Sequence, residues 1–302
     1  MPGTPAEPRC VGWRWVGAVA EGFARAPRAV HDASARLLAF VLRPLLARRW
    51  AVARRNLELC FPGESPEAQS QRLAAHRRAL ARAPFEFLRA AFAPSAQLRG
   101  DADIEGLELL HEAAAEGRGV LLLTGHLLHT ELAARYLVEA LGAPIGGMVR
   151  KYRRHPCFEA FVDRGRRTRL GPPVDKTDTR AMVRALRAGG RLVYLADQDF
   201  REAPVFVPFF GVPAATFPGI PQLLKAGRAN LLFLSMARGP DGRYRVRLQR
   251  TGLEALAEDA EAFARGYMAL LEAAVRQAPD QYLWVHRRFK TRPPGEASPY
   301  AR

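Results

Sequence analysis

Lysine is almost missing from this chain. Of 46 basic residues among 302, only Lys151, Lys176, Lys225 and Lys290 are lysines, which leaves 42 arginines against 30 acidic residues and a net charge of +16. Such a balance points to an anionic partner: nucleic acid, phospholipid head groups or an acidic protein. The guanidinium fork suits phosphate and carboxylate, although arginine bias can also leave each exposed Arg an ordinary solvated residue. Cysteine is scarce too. Cys10, Cys60 and Cys157 are scattered and odd in number, so they promise neither a metal cluster nor a disulfide framework, in keeping with a reducing cytosol. Long apolar runs are also missing. Residues 13–20 carry Arg14, and the run from Leu37 to Leu46 is cut by Arg43 and Pro44. Neither reaches the roughly 18 uninterrupted residues of a spanning helix, and no small-residue cleavage site marks a signal peptide. There is no zinc-finger spacing, no basic helix leading into heptads and no RNA-binding strand signature, which ranks nucleic acid last among the anionic partners.

What is present suits a folded α/β chain. Hydrophobic content of 48% and charged content of 25% are ordinary, and the length allows one large domain. Residues 1–50 are basic, apolar and aromatic, with Trp13, Trp15 and Trp50, the profile of helices lying in a membrane surface. The plainer reading packs these helices on the core. The remainder, 51–302, reads as the main domain. A helical stretch runs from Arg54 to about Phe92, broken around Phe61-Pro62-Gly63, with Ser65-Pro66-Glu67 as a helix start. Strands are expected at Val120–Thr124, Ile145–Val149, Leu192–Ala196, Phe206–Phe210, Leu231–Ala237 and Tyr244–Leu248. Helices are expected from Glu131 to Leu141, over Phe158–Arg167 and Thr179–Ala188, and over about Ala257–Gln277, before a loosely ordered tail. Alternation of this kind predicts a mostly parallel sheet flanked by helices.

The stretch Gly125-His126-Leu127-Leu128-His129-Thr130-Glu131 follows the first of those strands directly. A histidine held in one tautomer by a carboxylate can take a proton from an alcohol near neutral pH. Residues five apart in one continuous helix point about 140° away from each other. His126 is therefore expected in the turn and Glu131 on the helix that follows, where open α/β sheets place their chemistry. Such a pair also arises by chance, His129 is equally available, and Glu131 could simply be an acid favoured by the helix dipole.

Further segments carry a resemblance. The His126…Glu131 spacing, Arg164-Gly165-Arg166, Ala196-Asp197-Gln198-Asp199-Phe200, Pro208-Phe209-Phe210-Gly211 and Gln281-Tyr282-Leu283-Trp284-Val285-His286-Arg287-Arg288-Phe289-Lys290 occur in that order. Together with Arg55-Asn56-Leu57-Glu58-Leu59-Cys60-Phe61-Pro62 upstream, they resemble the bacterial lipid A late acyltransferases, the lauroyl and myristoyl transferases of the glycerolipid acyltransferase superfamily. The chain departs from that pattern at Val149-Arg150-Lys151-Tyr152-Arg153, where relatives carry Tyr-Arg, and in its weaker N-terminal anchor. Both departures keep open an enzyme of the same family acting on another glycolipid or a polyene.

The resemblance implies transfer of a fatty acyl chain from acyl carrier protein to a hydroxyl of a Kdo-modified lipid A precursor, at the cytoplasmic face of the inner membrane. It implies no metal and no cofactor beyond the carrier thioester. His126 would be the base, Glu131 would orient its ring, Arg166 would meet the developing oxyanion, and Asp197 would hold that arginine. Arg164, Arg150, Gln198, Asp199, Arg287, Arg288 and Lys290 would contact substrates. The apolar run Val205–Phe210 with Phe217 could line an acyl tunnel or be ordinary sheet core. A rival reading from another class is a non-enzymatic basic membrane- or nucleic-acid-binding protein on the same fold.

Overall fold

A computed structural model describes residues 10–149 and 155–300. Four helices come first: α1 (Val11–Ala24), α2 (Arg28–Leu45), α3 (Ala47–Cys60) and α4 (Pro66–Phe92). The start of α4 is set locally, because the Ser65 hydroxyl accepts the Ala68 N–H, Pro66 opens the first turn, and Glu67 meets the positive end of the dipole. Then follow β1 (Ala102–Glu105), α5 (Glu108–Ala115), β2 (Val120–Thr124), α6 (Thr130–Leu141), β3 (Gly146–Val149), α7 (Pro156–Arg169), β4 (Val174–Asp175), α8 (Thr179–Arg187) and β5 (Arg191–Leu195). The chain ends with β6 (Val205–Phe209), β7 (Val212–Thr216), α9 (Ile220–Gly227), β8 (Asn230–Arg238), β9 (Tyr244–Arg250) and α10 (Ala260–Gln277).

Seven strands form one sheet in the order β1-β9-β8-β2-β5-β3-β4, and among the described residues β8–β9 is its one antiparallel pair. The expected mostly parallel sheet flanked by helices is what forms. β2 lies near its middle and is buried at every position. Its alternate residues serve opposite faces: Leu121 and Leu123 pack with α8, α9 and α10, and Val120 and Leu122 with α5 and α6. A strand covered on both faces reads as a continuous apolar run, as this one does.

Four features differ from expectation. The Phe206–Phe210 strand belongs to a separate antiparallel hairpin, β6–β7, and its Val207 and Phe209 are core. The hairpin turns through Phe210 and Gly211, both at positive φ (54° and 76°), the requirement of a primed two-residue turn. Cys10 and Cys157 are joined in a disulfide with Cα atoms 5.5 Å apart. Sequence spacing hid that pairing because α1 packs across α7. The tail is docked, since the Tyr300 hydroxyl donates to Asn56 and accepts the Phe289 N–H. Trp50 is buried, and its indole N–H donates to the Leu42 carbonyl.

Among the described residues, no helix is long and apolar enough to cross a membrane. α1 and α2 pack on α4, and α4 also lies against α7. Gly165 permits that last approach, because a Cβ there would sit 2.6 Å from the Ala91 Cβ. This contact brings Arg166 into the lining of a cavity between α4, α6 and the sheet.

Candidate active site

The site follows from strand register. β2 and β5 run side by side with Thr124 opposite Leu195. Two residues beyond each strand end stand His126 and Asp197, so parallel pairing delivers them to the same point at the carboxyl rim of the sheet. Asp197 Oδ1 lies 2.6 Å from His126 Nδ1, and its Oδ2 accepts the His126 backbone N–H at 2.9 Å. Gly125 leaves the space for this: a Cβ there would lie 2.4 Å from Leu271 and 3.2 Å from Asp197 Oδ2.

Asp197 is 1% exposed. Burial alone would push its carboxyl up, but the His126 charge, the two hydrogen bonds from His126 and the Tyr282 hydroxyl hold it far below the usual carboxylate range. Burial likewise works against a His126 imidazolium. The Asp197 carboxylate outweighs it and raises His126 above the ordinary histidine value. With Nδ1–H donated to Asp197, His126 Nε2 carries the lone pair and accepts from the Gln198 amide at 3.0 Å.

Glu131 is not the partner of His126. It sits on the first turn of α6 and binds Arg166 from α7, accepting Nε at 3.0 Å and a second guanidinium nitrogen alongside. The two expected carboxylate roles are therefore exchanged: Asp197 orients the histidine and Glu131 holds the arginine. The physical reason is reach. Glu131 lies a helical turn on from His126, whereas Asp197 arrives on the neighbouring strand.

His126, Glu131 and Arg166 line one cavity of about 290 Å3. Apart from Thr130 the rest of its wall is apolar, with Leu80, Leu128, Ile145, Leu170, Val193 and Leu195 prominent. Gly147 also lines it, and a Cβ at that position would meet nothing within 4 Å. A greasy slot lined also by an imidazole, a carboxylate and a guanidinium can hold an aliphatic chain and place its polar end beside His126. The aromatic residues of β6 and Phe217 are not part of this lining. Among the described residues, no group of three or more His, Cys, Asp or Glu could hold a metal ion.

Comparison with known proteins gives this arrangement its context. A family model described as bacterial lipid A biosynthesis acyltransferase matches residues 8–291. The lipid A biosynthesis palmitoleoyltransferase of Escherichia coli K12 is 36% identical over 263 residues, 85% of this chain and 84% of that protein. The chain belongs to the bacterial lipid A biosynthesis acyltransferase family. The lauroyltransferase of the same organism is 32% identical over 84% of this chain and 83% of its own length, and the myristoyltransferase is 31% identical over 82% and 77%. The protein is thus an acyltransferase of lipid A biosynthesis.

The structure disperses several residues expected to contact this acyltransferase's substrates. Gln198 stands at the His126 ring. Asp199 instead fixes the C-terminal segment: its carboxylate accepts the Thr291 N–H at 2.9 Å and hydroxyl at 3.0 Å, and its own N–H donates to His286 Nε2. Arg164 faces away from the cavity and pairs with Glu21 of α1 at 2.7 Å. Arg288 is buried and donates to the Ala215 carbonyl and the Thr216 hydroxyl, so it braces the β6–β7 hairpin. Arg287 and Lys290 are exposed and outside the cavity lining. Arg150 lies outside the described residues.

Proposed function

We propose that this enzyme transfers a fatty acyl chain from an acyl carrier protein thioester to a hydroxyl of a Kdo-modified lipid A precursor, with His126 as general base. The observation that carries the reading is the shared cavity: an imidazole oriented by Asp197 and an arginine fixed by Glu131 line one apolar slot. The acceptor hydroxyl attacks the thioester carbonyl carbon while His126 Nε2 takes its proton and Asp197 stabilises the imidazolium. The charge that develops on the carbonyl oxygen meets Arg166, an interaction of the kind worth about 3 kcal/mol in the transition state. Collapse breaks the C–S bond, and the departing thiolate recovers the proton from His126. The thioester is already activated, so the chemistry calls for no further cofactor.

Residues 1–50 supply the membrane-associating region in this reading, at the cytoplasmic face of the inner membrane. Leu37, Phe40, Val41 and Leu45 fall on one stripe of α2 and are all exposed, Phe40 by 75%. Beside that stripe, Arg43 and Arg54 lie close enough to Arg77 to help burial lower its pKa. Apolar side chains flanked by clustered guanidinium groups suit anionic lipid.

The test is acyl transfer by the full chain in mixed micelles, with carrier thioesters of several lengths and the Kdo-modified precursor as acceptor. Product ester is expected. A folded enzyme that transfers nothing to this acceptor yet acylates another glycolipid or a polyene would establish the alternative acceptor. Gly147→Leu fills the slot and should disfavour long chains against short ones by about tenfold or more, since each methylene kept out forgoes about 0.8 kcal/mol. Equal slowing of all lengths would place the acyl chain elsewhere.

A further inference from the structure

A second cavity, of about 390 Å3, lies across the His126–His129 turn from the first. Its character is opposite, for Arg82, Arg238, Arg245, Gln277, Asp280 and Gln281 line it. The two cavities share α4, with Leu80 and Ala83 facing one and Ala79 and Arg82 the other. They also share the turn: His126 lines the first and His129 the second, and three residues of chain reach at most about 11 Å. Arg238 stands at the same rim of the sheet as His126, because β8 pairs with β2 only as far as Phe233 and then runs on to Arg238 beyond the carboxyl end of β2.

The charge in this cavity is unbalanced. Three guanidinium groups meet one carboxylate in the lining. Outside it, Asp32 is shared, accepting Arg82 at 3.0 Å and Arg238 at 3.3 Å. The nearest carboxylate to Arg245, that of Asp241, stands at 4.0 Å. The buried Nε–H of Arg238 has no acceptor, as is also so for Arg77, Arg191 and Arg288 elsewhere in the fold. Forked donors in excess of acid are the chemistry that binds phosphate.

We propose that this arginine-lined cavity is a phosphate subsite that anchors a phosphorylated substrate while its reacting group sits at His126. It rests on the acyl-transfer reading above, and that reaction offers two sources of phosphate: the glycolipid acceptor and the phosphopantetheine arm of the donor.

Arg245 is the residue to change, since its side chain is 63% exposed and its nearest ion-pair partner, Asp241, stands at 4.0 Å. Steady-state transfer is measured for wild type, Arg245→Ala and Arg245→Glu. One arm varies the acceptor, with and without its phosphates. The other varies the donor, carrier thioester against an acyl-N-acetylcysteamine that lacks phosphate. The expected result is a KM for one phosphorylated substrate raised about tenfold in Arg245→Ala and further in Arg245→Glu, with kcat within about twofold. The effect should vanish with the phosphate-free version of that same substrate, which names the source. An increase that persists without phosphate, or unchanged KM for both substrates, overturns the subsite. If wild type transfers no acyl chain at all, the acyl-transfer reading fails, and calorimetric titration with inorganic phosphate decides the cavity alone. Binding lost in Arg245→Glu supports it, and no binding by wild type overturns it.

Discussion

Two histidines three residues apart stand in the same turn, each with Nδ1 against a buried carboxylate, and only one of them lines the apolar cavity. His126 rests on Asp197, His129 on Glu86. The difference lies at the other ring nitrogen. His126 Nε2 faces a donor, the Gln198 amide, so it presents a lone pair. His129 Nε2 lies 2.9 Å from the side-chain oxygen of Gln281, whose orientation is fixed because that oxygen also accepts the Arg238 N–H while the amide nitrogen donates to the Arg238 carbonyl. Both nitrogens of His129 are therefore engaged by side chains of the core. The ring is 1% exposed, Glu86 is further held by the Tyr244 hydroxyl at 2.6 Å, and the pair locks the turn to α4 and the C-terminal segment. A histidine–carboxylate contact alone says little about catalysis. What decides is whether the far nitrogen is left with a lone pair and a cavity in front of it.

The sharpest way to break this comparison is to delete each ring. His126→Ala should lower kcat/KM about a thousandfold, the contribution of a positioned base, with little change in thermal unfolding. Glu86→Ala or His129→Ala should do the reverse: removal of one partner strands a buried charge at a cost of about 3–5 kcal/mol, or a fall in Tm of about 10 °C, while any soluble enzyme keeps a substantial part of its turnover. Equal activity losses from both histidines, measured on folded protein, would erase the distinction.

Much of this frame was legible in the chain. Val120–Thr124 could only be a buried strand, and His126 directly after it belonged to a turn at the sheet rim. The identity of its partner was not legible locally. His126 and Glu131 look paired on the page because five residues separate them, while Asp197 is 71 residues away. Parallel register is what joins them: Thr124 pairs with Leu195, which puts 126 opposite 197, whereas the strand ends read from the sequence, Thr124 and Ala196, put 126 opposite 198. Glu86 gave no signal, since its meeting with His129 depends on how α4 crosses the sheet. The charged tail misled for a related reason. Arg288 looks like a solvated cation in a basic run, and only the tertiary fold turns it inward onto the β6–β7 hairpin.

The exchange of partners makes Asp197 and Glu131 separable. Asp197→Asn should lower kcat/KM about a hundredfold, because an amide cannot accept from both the His126 ring and its backbone N–H without misplacing a donor. It should also move the alkaline-rising limb of the kcat/KM profile to lower pH. The carboxylate is what raises His126, and with it gone only burial remains, which favours the neutral ring. Glu131→Ala should cost less, about tenfold in kcat, by loosening Arg166, and should leave the limb where it is. A shift of the limb in Glu131→Ala would restore the pairing read from the sequence.

Gln198 gives the smallest effect and the most specific sign. Its amide donates to the His126 lone pair in the free enzyme, so it favours the neutral ring over the imidazolium. Gln198→Glu replaces that donor with a carboxylate at the same reach, a second negative charge beside a ring already raised by Asp197. The imidazolium gains, and the limb of kcat/KM must move to higher pH, opposite to Asp197→Asn. On the plateau above both values the loss should stay within about tenfold, because His126 and Asp197 are untouched. A pH–rate series on the two variants, run beside wild type, reads both displacements in one experiment. Limbs displaced in the same direction would mean that the titrating group is not the His126 ring held between Asp197 and Gln198.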